Sequence, residues 1–139
     1  MLWFEVGSMV TVGDLMNDSL HQASASATVA EAATMMARGK VGSVLIMDGP
    51  RLLGIFTERD IVRALSHSPY APADSIGHWM TANPRTVAGS DPVNEALRRM
   101  VDGGFRHLPV VDDKGGVVGM LSMRDLIRIG AAASRERPG

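Results

Sequence analysis

The 139-residue chain has no cysteine. Disulfides and thiolate chemistry are therefore excluded, although the compartment stays open. It also lacks an excess of either charge: 14 basic and 15 acidic side chains leave a formal net charge of −1. That balance argues against a long nucleic-acid footprint and leaves room only for a local basic patch. No apolar run approaches the roughly 20 residues needed to cross a bilayer, so no membrane partner is expected. The opening stretch MLWFEVGSM has no basic n-region and carries Glu5, which speaks against a secretory leader and for a cytoplasmic protein. Phosphate-loop, nucleophile-elbow and dinucleotide-fold glycine patterns are missing. The four histidines, His21, His67, His78 and His107, form no pair at metal-ligand spacing, and no cysteine can join them. No hydroxyl, base and orienting acid occur at workable spacing. The sequence thus predicts neither a metal nor a catalytic residue: this is not an enzyme.

What the chain does have is a 45% apolar fraction, enough for a real core, and an internal repeat. Residues 54–65 read GIFTERDIVRAL and residues 119–130 read GMLSMRDLIRIG. Gly54, Arg59, Asp60 and Arg63 return 65 residues later as Gly119, Arg124, Asp125 and Arg128, and Thr57 returns as Ser122. Upstream, VAEAATMMARGKVGSVLIMD answers VNEALRRMVDGGFRHLPVVD, and DLM at 14–16 answers HWM at 78–80. A period of this size sets the architecture. It divides the chain into an extension over 1–11, a repeat over 12–66, a Pro-containing linker over 67–75, a repeat over 76–130 and a polar tail over 131–139 that is expected to fray.

Each repeat predicts β-α-β-β-α. Val29, Ala32, Ala33 and Met36, and again Val93, Ala96, Leu97 and Met100, give the apolar stripe of an amphipathic helix. Thr28 with Glu31 makes a capping box, Asp91-Pro92 places a proline in the first turn of the second copy, and Gly39 and Gly103 mark the helix ends. VGSVLIM and FRHLPVV read as strands, paired with LLGIFT and VVGMLS; the second helices start at ERD and MRD. Short leading strands are expected at LHQAS and PRTV. A unit of about 60 residues buries too little surface to stand comfortably alone, so the two copies are expected to pack sheet on sheet about a pseudo-twofold axis. Met35 beside Met36, and Ile61, Val62 and Leu65, exceed one narrow stripe and predict a homodimer.

The motif hydroxyl-x-x-Asp (Thr57 with Asp60, Ser122 with Asp125) has two compatible readings. One is a helix cap, the hydroxyl as N-cap and the acid in the first turn. The other is a ligand site, in which the carboxylate accepts from the two ribose hydroxyls and the first-turn N–H groups face a phosphate. Gly54 and Gly119, on the strand before it, signal a close backbone approach that would also leave room beside a ligand.

Paired units of this kind resemble the cystathionine-β-synthase (CBS) domain, and two in tandem resemble a Bateman module. The resemblance spans about 12–130 and implies an α/β fold with clefts between the repeats. It further implies a regulatory sensor for an adenosine-containing ligand (AMP, ADP or ATP), with no obligatory cofactor, reporting to a partner protein yet to be identified. Carried onto this sequence, the implied contacts are Thr57, Arg59, Asp60, Ser122, Arg124 and Asp125, with Arg106 and His107 on phosphate and Pro109 against the adenine. Lys40, Ser43, Thr86 and Val87 are further candidates. The first repeat departs from the pattern, having Gly42 and Ser43 where the second has Arg106 and His107, so the two sites should differ in phosphate affinity. The rival readings are a ligand-free dimeric scaffold and, against the near-neutral charge, a nucleic-acid binder.

Overall fold

The computed structural model describes residues 3–128; the expected polar tail over 131–139 lies outside them. The chain forms two compact units, one built from Leu20–Pro84 and the other from the chain up to Ser19 and again from Arg85 onward.

In the Leu20–Pro84 unit, strand β1 (Gln22–Ala23) leads into helix α3 (Val29–Gly39); α1 (Trp3–Met9) and α2 (Val12–Leu15) precede them in the chain. Then follow β2 (Ser43–Asp48), β3 (Arg51–Thr57), α4 (Glu58–His67), α5 (Ile76–Trp79) and β4 (Thr81–Ala82). The sheet order is β1-β2-β3-β4, with β1 parallel to β2 and the other pairs antiparallel. A parallel pair needs a long crossover, here supplied by α3. Thr28 caps α3 as the sequence predicts: its side chain accepts from Glu31 N at 3.1 Å, and Thr28 N donates to the Glu31 carboxylate. Val29, Ala32 and Met36 of the stripe are buried against Val44, Ile46 and Phe56. Full burial of a side chain such as Phe56 contributes about 1.5–3 kcal/mol.

The other unit repeats this plan with β5 (Val87–Ala88), α6 (Val93–Gly103), β6 (His107–Val111), β7 (Val117–Ser122) and a helix α7 that starts at Met123. The strand order is β5-β6-β7, and Asn17 bridges to Met120 on the free side of β7. Both hairpins shift register at equivalent places, Ile46/Met47 and Val110/Val111.

The leading segment of each sequence repeat packs in the unit that holds the other repeat's helices and strands. Val12 is fully buried among Val87, Val93 and Leu108, while Ile76 and Trp79 are buried beside Val44 and Phe56. The stretch 67–75 is not a loose tether, because Ala71 is part of that core and Val29 N donates to the Asp74 carbonyl at 2.9 Å.

Three local expectations are corrected. Pro92 is the N-cap of α6, outside the first turn, and the Asp91 carboxylate accepts from Ala88 N. Gly39 and Gly103 are the last helical residues; the left-handed caps are Lys40 (φ 54°) and Gly104 (φ 70°). The two penultimate glycines serve a different need. A Cβ on Gly39 would sit 2.8 Å from the His21 ring, and one on Gly103 would overlap the edge of the Phe105 ring. Finally, Met36 is buried in the core of its own unit and Met35 and Ile61 pack against it, leaving Val62 and Leu65 as the exposed apolar residues of α4.

Candidate functional site

The candidate residues collect where each hairpin runs into its second helix. In the Leu20–Pro84 unit, Ser43 lies opposite Thr57 in the β2–β3 ladder, and Glu58 N donates to the Gly42 carbonyl at 3.2 Å. In the other unit, His107 lies opposite Ser122, and Met123 N donates to the Arg106 carbonyl at 2.8 Å. Arg106 and His107 therefore belong to the same corner as Ser122 and Asp125, a pairing the sequence left open.

Thr57 and Asp60 form a reciprocal capping box. Thr57 N and Oγ1 both donate to Asp60 Oδ2, at 2.9 and 3.2 Å, and Arg63 Nη1 donates to Oδ1 at 2.9 Å. Asp60 is buried, with its side chain 3% exposed. The second corner repeats the box: Ser122 N and Oγ donate to Asp125 Oδ2 at 2.8 and 3.0 Å, and Asp125 N donates to Ser122 Oγ at 3.3 Å. There, however, Arg128 stays 3.7 Å from Oδ1 and the Asp125 side chain is 14% exposed. Every buried side-chain nitrogen and oxygen among the described residues has a partner, so both acids act as caps whatever else they do.

The glycines of the motif have a structural cause. A Cβ on Gly54 would lie 2.6 Å from the Thr81 carbonyl and 2.7 Å from Met80 Sδ; on Gly119 it would lie 2.5 Å from Met16 Sδ and 3.0 Å from the Asn17 carbonyl. The room beside these strands is filled by the leading segments, which is the close backbone approach that the glycines signal, and it is not left beside a ligand. Nothing in the motif itself reveals Met16 and Met80 as those neighbours; their positions in the matching DLM and HWM triplets were the available signal.

The candidates differ in exposure. Arg59, Arg106 and Arg124 are exposed, Ser43 and Pro109 are buried, and Val87 has its side chain in the core beside Leu108 and Val110. Thr86 offers its carbonyl to Arg99 Nη1. Lys40 is an exposed cap of α3. No group of three or more metal-binding side chains occurs among the described residues.

The pattern of the CBS domain matches residues 12–67 and again 75–132. The chain belongs to the CBS-domain family. Its two CBS domains lie in tandem, and solved CBS-domain pairs share the fold. The pair of protein MJ0100, solved with 5′-methylthioadenosine and S-adenosylmethionine, superposes with a TM-score of 0.82 at 27% identity, over 89% of this chain and 98% of that one. A CBS-domain protein of Pyrobaculum aerophilum complexed with AMP gives 0.78 at 27% identity, over 88% and 99%. In sequence, an uncharacterised 17.7 kDa protein of Acidianus ambivalens is 36% identical over 119 residues, 84% of this chain and 71% of that protein. A meiotically up-regulated protein of Schizosaccharomyces pombe is 42% identical over 97 residues, but the match takes up only 13% of its length. The chain thus resembles a short part of that much longer relative. Among the described residues no helix is long and apolar enough to cross a membrane.

Proposed function

We propose that this chain is a regulatory module that binds an adenosine-containing ligand and transmits its presence to a partner protein. The observation that carries this reading is the corner formed by Ser122, Asp125, Arg106 and His107. It joins a carboxylate suited to two ribose hydroxyls with a hydroxyl and a guanidinium suited to a phosphate. A carboxylate repels phosphate, so the ribose has to lie between the acid and the cations. The CBS pairs solved with AMP, and with 5′-methylthioadenosine and S-adenosylmethionine, support the adenosine as the common element. Self-association is part of the same reading: Val62 on α4 is 67% exposed and its counterpart Ile127 on α7 is 64% exposed, which favours a second copy over water at these faces.

Calorimetry and thermal melts with AMP, ATP, 5′-methylthioadenosine and S-adenosylmethionine test the reading. Saturable binding is expected, with a stabilisation of about 2.7 kcal/mol at a hundredfold excess over Kd. A folded protein that ignores all four would instead be the ligand-free scaffold. A labelled RNA or DNA that shifts in a salt-dependent way would favour the nucleic-acid alternative.

A further inference from the structure

The two corners share a backbone plan, but their carboxylates are not equally available. At Asp60 both oxygens are committed, Oδ2 to the Thr57 amide and hydroxyl and Oδ1 to Arg63 at 2.9 Å, and the side chain is 3% exposed. At Asp125 the hydrogen bonds from described residues fall on Oδ2. Among the described residues Oδ1 accepts no hydrogen bond, since the equivalent Arg128 stands 3.7 Å away, and the side chain is 14% exposed. A ribose needs a carboxylate oxygen that can accept, and taking one from a charged partner forfeits a charge-assisted hydrogen bond. The flanking strand residues differ in the same direction, with Gly42 and a buried Ser43 at the closed corner and Arg106 and His107 at the open one.

We propose that the chain takes up one nucleotide, at the Asp125 corner, and that Arg63 keeps the Asp60 corner closed as a structural copy of the site. This rests on the ligand reading above. Arg63 is the specificity-determining residue: its guanidinium occupies the acceptor that a second ribose would need. Its side chain is 54% exposed, so it can be replaced without opening the core.

The test titrates the full chain with AMP by calorimetry, with native mass spectrometry counting bound nucleotides per chain. The wild type should bind one AMP per chain, and Asp125→Asn should weaken that event about tenfold or more. Arg63→Ala should add a second, weaker event, and Arg63→Lys, which keeps a cation beside Asp60, should return the count towards one. Thermal melts of each variant confirm folding. Two equal AMP sites in the wild type would overturn the inference and leave the ligand reading standing. A folded Arg63→Ala variant that still binds a single AMP would overturn the role of Arg63. Absence of AMP binding to the wild type would overturn the inference, and absence of binding by all four adenosine compounds would overturn the ligand reading with it.

Discussion

In the Leu20–Pro84 unit, Ile76 N donates to the Ala27 carbonyl at 2.8 Å and Gly77 N to that of Ala25 at 2.9 Å; in the other unit, Val12 N donates to Asp91 at 2.9 Å and Gly13 N to Gly89 at 2.8 Å. These are the same two bonds, repeated with every residue displaced by 64. The two halves therefore agree in backbone wherever a leading segment docks, and they diverge in the side chains that a ligand or solvent would meet. Ser43 stands where His107 stands, Asp60 is closed where Asp125 is open, and Lys40 caps a helix where Gly104 does. Buried backbone groups must be paired, which holds the duplicated skeleton constant. An exposed side chain at a helix start or strand end carries no such obligation and is free to specialise.

The sharpest way to break this equivalence is at the paired glycines. The nearest obstacle to a Cβ at Gly54 is the Thr81 carbonyl at 2.6 Å, whereas at Gly119 it is the flexible end of Met16 at 2.5 Å, with the Asn17 carbonyl at 3.0 Å. Backbone yields less than a thioether. Gly54→Ala should therefore cost about 3 kcal/mol and Gly119→Ala about 1–2 kcal/mol, read as shifts in urea midpoint at constant m. Equal losses would show that the two docking sites are equally compliant.

The acids come next. Asp60→Ala removes a buried carboxylate with three hydrogen bonds, one of them from a cation, and should cost about 2–3 kcal/mol; Asp125→Ala, more exposed and with its cation 3.7 Å away, should cost about 1–2 kcal/mol. Denaturant titration in the absence of nucleotide isolates this structural share. If Asp125→Ala were the more costly change, the closed-versus-open distinction would fail.

A smaller effect is expected at the caps of α3 and α6. Lys40 holds a left-handed conformation that glycine adopts without a Cβ penalty. Lys40→Gly should stabilise by about 0.5–1 kcal/mol, and Gly104→Ala should destabilise by a similar amount. Thermal melts of the two variants should move in opposite directions.

The smallest effect distinguishes α6 from α3, for which the described residues form no equivalent ion network. On α6, the Arg98 side-chain hydrogen bond holds Glu95 below the usual carboxylate range despite opposing desolvation, with Arg99 adding to it, and Glu95 in turn raises Arg98. A depressed carboxylate stabilises the fold above its ordinary pKa and loses that contribution as pH falls through the folded value. Glu95→Gln should therefore lower the melting temperature slightly at neutral pH, and the gap to wild type should close under acid. A gap that widens on acidification would reverse the sign of this interaction.

Much of each half could be read from local pattern. The stripes at Val29, Ala32 and Met36 and at Val93, Ala96 and Met100 place α3 and α6, and Thr28 with Glu31 marks a cap, because helix periodicity and capping act within one or two turns. Pro92 was misplaced by one position and the left-handed caps by one residue, since helix ends depend on which neighbours the chain meets. The candidate site was legible as a set of residue types. Its asymmetry was legible in Gly42 and Ser43 against Arg106 and His107, but the difference between the two acids was not, because Thr57 with Asp60 and Ser122 with Asp125 are interchangeable in local pattern.

By itself, then, the sequence determined the duplication, the helix and strand periods and the chemistry available at the motif, all of which are properties of short stretches. Tertiary structure alone decided where the leading segments dock, with Val12 beside Val93 and Ile76 beside Phe56. It also decided why Gly54 and Gly119 cannot carry a side chain, and which carboxylate is sealed. Those outcomes follow from packing and burial, where a difference of under an ångström at Arg63 and Arg128 separates a hydrogen-bonded ion pair from a looser one.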